Sequence, residues 1–202
     1  MTNTIYTIGH SNHSLDKFVE LLKQHGITVV ADVRSAPYSR FHAQFNKEEL
    51  KHALRERGLG YVFLGRELGA RSNDPGCYEN GRVRYDRLAE TKAFKEGVER
   101  LRAGVQKGYC IALMCAEKDP AECHRAILVS RRLHEVGFEI RHILADGRTE
   151  TQEDLAERLV EKFNLKQSSL FDSVEDPEAE AYRKQEEEIA YRKDEAAERK
   201  AG

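Results

Sequence analysis

The densest chemistry in this 202-residue chain lies between Cys115 and Arg125, where two thiols, several carboxylates, an imidazole and a guanidinium crowd a span that Pro120 stiffens. Cys115 is expected to close a strand, and Cys123, His124 and Arg125 to open a helix, where unpaired amides and the helix dipole favour an anion. A thiol in that position has a lowered pKa, and Arg125 can grip a phosphate or carboxylate with two parallel hydrogen bonds. A cysteine-phosphatase loop is disfavoured, because it needs an arginine where Ala121 stands. The cofactor is unknown. Zinc is open through Cys115, Cys123 and either His10 or His124, although no close Cys-x-x-Cys pair is present. A reactive thiol and a structural, anion-positioning thiol are the alternatives.

Two further groups carry titratable residues. His10 follows Gly9 and precedes Ser11 at a strand end, where an imidazole can act as general acid or base or simply cap the loop. Asp32 and Arg34, two apart in an extended segment, share a face and form either one polar wall or an ion pair that fixes the loop. Tyr38, Ser39, Arg40, Phe41 and His42 then set aromatic beside cationic groups, as base-stacking or phosphate sites do. Cys110 reads as core, Cys77 has no evident partner, and Arg82, Arg84 and Arg87 read as solvated surface.

The elements that must position these groups follow from periodicity. Residues 4–9 are β-rich, and Ser14 opens an amphipathic stretch through Leu22 that Gly26 stops. Residues 28–33 are a nearly continuous apolar run, as in a parallel strand covered on both faces. Asn46 and Glu49 have capping-box spacing, predicting a helix over 47–57, and a third strand follows at 61–64. Residues 65–85 show no period and read as a long lid or binding loop. Helical spacing over 88–105, a strand at 109–114, a loop, a helix over 124–136, a strand at 138–144 and a helix over 153–163 complete the alternation. Such a pattern calls for a three-layer α/β architecture, with a mainly parallel, Rossmann-like sheet of about five strands. Ligands in such sheets bind beyond the carboxyl ends of the strands, which selects the loops after residues 9, 32 and 114.

Those loops also carry a resemblance. Thr7 to Ser11, Asp32-Val33-Arg34 with Pro37 and Ser39, Leu64-Gly65 with Leu68-Gly69, and Cys115-Ala116-Glu117 leading to Cys123-His124-Arg125 are similar to the bacterial and archaeal domain of unknown function 488 family. The resemblance covers residues 4–145 and implies a fold and a set of positions, without an established reaction.

Composition bounds the rest. Through Leu165 there are 26 basic and 24 acidic residues, and beyond it 7 and 11, so an α/β domain over 1–165 is expected to carry a charged tail, helical and solvated or disordered, over 166–202. No signal region and no long apolar run is present, so a cytoplasmic location, reduced cysteines and no membrane partner are expected. Within the tail, Gln167, Leu170 and Phe171 are similar to the short motif by which bacterial replication and repair proteins dock on the sliding clamp. The leading expectation is an enzyme, of hydrolase or glycosylase type, acting on a phosphate-containing nucleotide or nucleic acid in DNA repair or metabolism. In it, His10, Asp32, Cys115 or Glu117 supply catalytic groups, and Gly9, Ser11, Arg34, Ser39, Arg40, Cys123, His124 and Arg125 bind substrate. A non-catalytic nucleotide or nucleic-acid binding module and a thiol- or zinc-dependent protein are the alternatives.

Overall fold

Alternating β-rich and amphipathic stretches become strands and helices in the computed structural model, which describes residues 3–166 and 175–193. In chain order these are β1 (Thr4–Gly9), α1 (Leu15–Gln24), β2 (Val29–Asp32), α2 (Lys47–Glu56), β3 (Gly60–Phe63), β4 (Tyr78–Glu79), β5 (Arg82–Val83) and α3 (Tyr85–Glu90). They continue as α4 (Lys92–Gln106), β6 (Ile111–Cys115), α5 (Arg131–Glu135), β7 (Glu139–Ile143), β8 (Thr149–Thr151), α6 (Gln152–Lys162) and α7 (Pro177–Ile189). A π-helical turn, Arg125–Ser130, leads into α5.

Local chemistry explains most of the boundaries. Ser14 Oγ accepts from the Lys17 amide at 3.2 Å and starts α1. The expected capping box at Asn46 does not form: Asn46 Oδ1 accepts instead from the Ser39 amide, at 2.7 Å, and ties down the loop ahead of α2. A reciprocal box appears at α6, between Thr151 and Asp154. Residues 65–85 are less irregular than their composition suggests, since the two-residue turn Asn80-Gly81, both with positive φ, closes a hairpin of β4 on β5.

The main sheet has six strands rather than about five, in the order β3-β2-β6-β1-β7-β8. The first five are parallel, and β8, which has no sequence signal of its own, runs antiparallel along β7. Period-two alternation puts Ile8, Val30, Ala112 and Met114 against α1 and α2. Ile5, Ala31, Leu113 and Ile140 face the helices α4, α5 and α6 on the other side. The chain leaving β2 turns outward through α2 to β3, whereas the chain leaving its neighbour β6 crosses over β1 to β7. Their connections diverge, which opens a crevice at the carboxyl ends of β2 and β6.

The C-terminal segment departs from the solvated reading. Helix α7 buries Ala181, Tyr182 and Gln185 on the α6 side of the molecule. Tyr182 Oη accepts from Gln152 Nε2 at 2.6 Å, and Gln185 Nε2 donates to the Ala121 carbonyl at 3.0 Å. Glutamates and lysines around this narrow face conceal it in a charge count. The repeated Ala-Tyr-Arg-Lys at 181 and 190 would fall about half a turn apart on one continuous helix. The helix ends at Ile189, and Ala190, extended at ψ 136°, is buried as well. The clamp-like residues Gln167, Leu170 and Phe171 lie outside the described residues. Replacing Tyr182 by alanine removes a fully buried ring and is expected to lower folding stability by about 3–5 kcal/mol, measured by urea denaturation. A loss below about 1 kcal/mol would mean that α7 does not pack on the domain.

Candidate functional site

The crevice is built by close backbone approaches that only certain residues permit. A Cβ on Gly9 would stand 1.9 Å from the Glu117 carbonyl oxygen, so glycine lets the loop after β6 cross the end of β1. The two segments then pair beyond the strands: the His10 amide donates to the Cys115 carbonyl at 2.9 Å and the Ser11 amide to the Ala116 carbonyl at 2.8 Å. A Cβ on Gly65 would meet the Arg34 carbonyl at 2.0 Å, so that glycine lets the loop after β3 lie on the loop after β2. Ser35 Oγ there accepts from the Arg71 amide at 3.0 Å and brings Arg71 to the rim.

On one side of the crevice, Asp32 and Arg34 form a buried ion pair. The Arg34 Nε donates to Asp32 Oδ1 at 2.9 Å and its Nη2 to Asp32 Oδ2 at 2.7 Å, while the Tyr61 hydroxyl donates to the same carboxylate at 2.8 Å. Burial, with Asp32 alongside, raises the Tyr61 pKa. Arg34 Nη2 also donates to the Phe45 carbonyl, and Nη1 to His10 Nε2 at 3.3 Å. An arginine only donates, so the His10 proton sits on Nδ1, which gives it to the Ser11 carbonyl at 2.9 Å. Burial against Phe45, stacked at 4.4 Å, pulls the His10 pKa down to about 4, so the ring is neutral near pH 7. Asp32 and His10 thus orient Arg34, which itself reaches the crevice.

Across from it, Cys115 Sγ lies 3.7 Å from His124 Nδ1, and His124 Nε2 donates to the Val33 carbonyl at 3.0 Å. Cys123 stands at the start of the π-helical turn, where its backbone is extended, its carbonyl accepts from the Ala126 and Ile127 amides, and its Sγ accepts from the Arg125 amide at 3.5 Å. Burial opposes ionisation of Cys123, but hydrogen bonding from Cys115 and the charges of Arg125 and His124 outweigh it and bring the thiol well below its ordinary pKa. Hydrogen bonding to Cys123, then burial, holds Cys115 above its own. Burial also works against a charge on His124, yet Cys123 and Glu117 beside it raise its pKa. The 2.9 Å contact between Cys123 Sγ and Glu117 Oε2 holds a proton, since two anions at that distance would repel. Burial and the Cys123 sulfur raise the Glu117 pKa.

Arg125 plays a different part from the anion grip expected of it. Its side chain is 0% exposed, donating to Thr7 Oγ1 at 3.4 Å, the Glu117 carbonyl at 2.8 Å and the Lys118 carbonyl at 3.3 Å. These carbonyls belong to an irregular loop with no strand partner, and the guanidinium satisfies them from inside. Asp119 is likewise engaged: Arg158 grips both its oxygens, at 2.9 and 2.8 Å.

A cleft of about 610 Å³ opens above these groups, lined by Arg34, Cys115, Glu117, His124 and Arg71, with Tyr191 and Arg192 from the segment after α7. His10, Asp32, Cys123 and Arg125 sit behind this lining, within contact of it. Gly9 and Ser11 serve the loop crossing. Ser39 and Arg40 are elsewhere: Ser39 Oγ accepts from the Phe41 and His42 amides, in an outer loop where Tyr38 is 65% and Phe41 91% exposed. Sequence reasoning missed Arg71, Tyr85, Tyr191 and Arg192. The length of the 65–85 loop was the one signal for Arg71, and the Ala-Tyr-Arg-Lys repeat at 190 marked Tyr191 and Arg192 only as part of a solvated tail.

Residues 14–132 match the family model for the domain of unknown function DUF488, and the chain belongs to that family. The match spans the loops after β2 and β6 and stops before the C-terminal segment that completes the cleft wall. No curated protein matches the chain. Among the described residues no helix is long and apolar enough to cross a membrane.

Proposed function

We propose that this protein is an enzyme that takes a phosphate-bearing substrate of nucleotide size into the cleft and transforms it hydrolytically with the Cys115, Glu117 and His124 cluster. One observation carries the reading: three arginines, Arg34, Arg71 and Arg192, line the same cleft as a thiol, a carboxyl group and an imidazole. About 610 Å³ accommodates a small organic ligand. Lys162 faces two carboxylates of the wall, Glu122 at 3.9 Å and Glu188, and offsets part of their charge. Arg71 lies over the Tyr191 ring, at 4.6 Å, and no carboxylate among the described residues pairs with it.

Melting shifts across nucleoside mono-, di- and triphosphates and short oligonucleotides test this reading. Arg71→Ala and Arg192→Ala are each expected to weaken a hit about 10-fold, the worth of one charge-assisted hydrogen bond, with little change in the melting temperature of the free protein. Absence of any phosphate-dependent shift, or a shift indifferent to both substitutions, discards it. Turnover of the hit, lost in Glu117→Gln, separates an enzyme from a binding module. The exposed Tyr38 and Phe41 beside Arg40 favour a second reading in which a single strand of nucleic acid is the ligand. Preference for oligonucleotides, lost on Phe41→Ala, supports that reading, and equal response to mononucleotides removes it.

A further inference from the structure

We infer that Cys115, Cys123 and His124 form a binding site for a soft divalent cation such as Zn²⁺, with its remaining coordination position turned to the cleft. The two sulfurs and one imidazole nitrogen all lie within 4.8 Å of one another. Zinc–sulfur bonds of about 2.3 Å and zinc–nitrogen bonds of about 2.0 Å put tetrahedral donors roughly 3.5–3.8 Å apart. The Cys115 to His124 separation of 3.7 Å falls in that interval. Two thiolates with one imidazole select zinc-like metals over magnesium or calcium.

The groups around the three donors are those that a metal site needs. A ligating histidine ordinarily gives its other ring N–H to a carbonyl or carboxylate, which fixes ring and tautomer. His124 does so with the Val33 carbonyl at 3.0 Å, and this leaves Nδ1 bare toward Cys115. Cys123 receives the Arg125 amide, and Arg125 in turn pins the loop that carries Glu117. Both sulfurs are buried, while Cys115 and His124 line the cleft, so metal and substrate have one entrance. A structural site would be closed by a fourth protein ligand; a three-donor set of which two, Cys115 and His124, line a cleft is of the open kind.

Glu117 gives the site a reaction. It lines the cleft and lies 2.9 Å from Cys123 Sγ, next to the metal position without belonging to the donor triplet. A His/Cys/Cys set beside a carboxylate that is not a ligand is the arrangement with which nucleobase deaminases activate water. Here the cation acidifies a bound water, and the Glu117 carboxylate takes the proton as the O–H bond breaks. The hydroxide oxygen bonds to the electrophilic carbon or phosphorus of the substrate, and Glu117 returns the proton to the leaving group as its bond breaks. This step, though not the metal site, rests on the anionic-substrate reading above.

The experiment uses the full chain, reduced, stripped of metal with a chelator and titrated with Co²⁺. One equivalent per chain is expected, with the intense near-ultraviolet thiolate-to-cobalt absorption and the visible bands of a four-coordinate ion, both displaced by Zn²⁺. Cys123→Ser and His124→Ala are expected to weaken binding more than about 100-fold, beyond the 10–100-fold of changes outside the ligand set. Cys110→Ser, whose thiol lies away from the cluster, retains the spectrum. Glu117→Gln is expected to retain it too while abolishing turnover. Absence of the cobalt bands in the reduced wild type, or their persistence in both Cys123→Ser and His124→Ala, overturns the site. A nucleotide melting shift that survives in the stripped protein would leave the anionic-substrate reading standing when the metal falls. Cobalt binding without any such shift would do the reverse.

Discussion

Asp32→Ala is expected to destabilise the fold by about 3–5 kcal/mol, the cost of stranding a buried charge. The carboxylate is fully buried and accepts from the Arg34 amide, Nε and Nη2 and from the Tyr61 hydroxyl. Without it, the guanidinium keeps only the Phe45 carbonyl and His10 as partners. The same loss should disturb the cleft, because Arg34 is held there through Asp32. Removing both charges is predicted to be far milder. In Asp32→Ala with Arg34→Met, most of the lost stability returns, since neither partner is left uncompensated. Urea denaturation of the single and double variants measures this. Equal losses in the two would show that Asp32 acts through packing alone, and a small loss in the single variant would show that Arg34 swings out to solvent unharmed.

The second large effect is acid lability. His142 is fully buried, its Nδ1 accepting from Thr7 Oγ1 at 2.8 Å and its Nε2 donating to Gln152 Oε1 at 3.0 Å. Burial, with Arg125 nearby, lowers its pKa from 6.5 to about 3. The fold therefore prefers the neutral ring, and its stabilisation is fully present above pH 6.5 and lost as pH falls toward 3. At about 1.4 kcal/mol for each pH unit in that window, the wild type should lose about 3 kcal/mol between pH 7 and 4 from this residue. His10, lowered to about 4, adds a loss of the same sign over a shorter interval. Stability curves of wild type and His142→Gln should converge as pH falls, and parallel curves would refute the assignment. The consequence reaches function. Arg125, Thr7, His142, Gln152 and Tyr182 form one buried chain of hydrogen bonds from the Glu117 loop to α7, and protonation of His142 breaks its middle.

Local periodicity sufficed for the α/β alternation, the parallel sheet and the placing of the loops after residues 9, 32 and 114 at the carboxyl ends of its strands. Strand and helix are decided by neighbours a few positions away, and right-handed crossovers leave few ways to assemble them. The β8 strand and the hairpin of β4 with β5 escaped because they are two or three residues long, too short to show a period. The Cys115 to Arg125 run was legible as chemistry for a related reason: its residues are neighbours in the chain.

Tertiary structure alone decided which way each charged side chain turned. Arg34 and Arg125 both read in sequence as substrate-binding, yet the first stands at the cleft edge in the ion pair with Asp32 that is one of its two sequence readings, and the second is turned inward to carbonyls. A guanidinium goes wherever buried acceptors would otherwise lack a donor, and those acceptors come from segments remote in the chain. Distance has the same effect on the cleft wall, which brings Arg71, Tyr191 and Arg192 to residues 34 and 115. The sequence by itself determined where reactive groups gather, through short-range pattern. Long-range packing and desolvation determined which of them face the cleft.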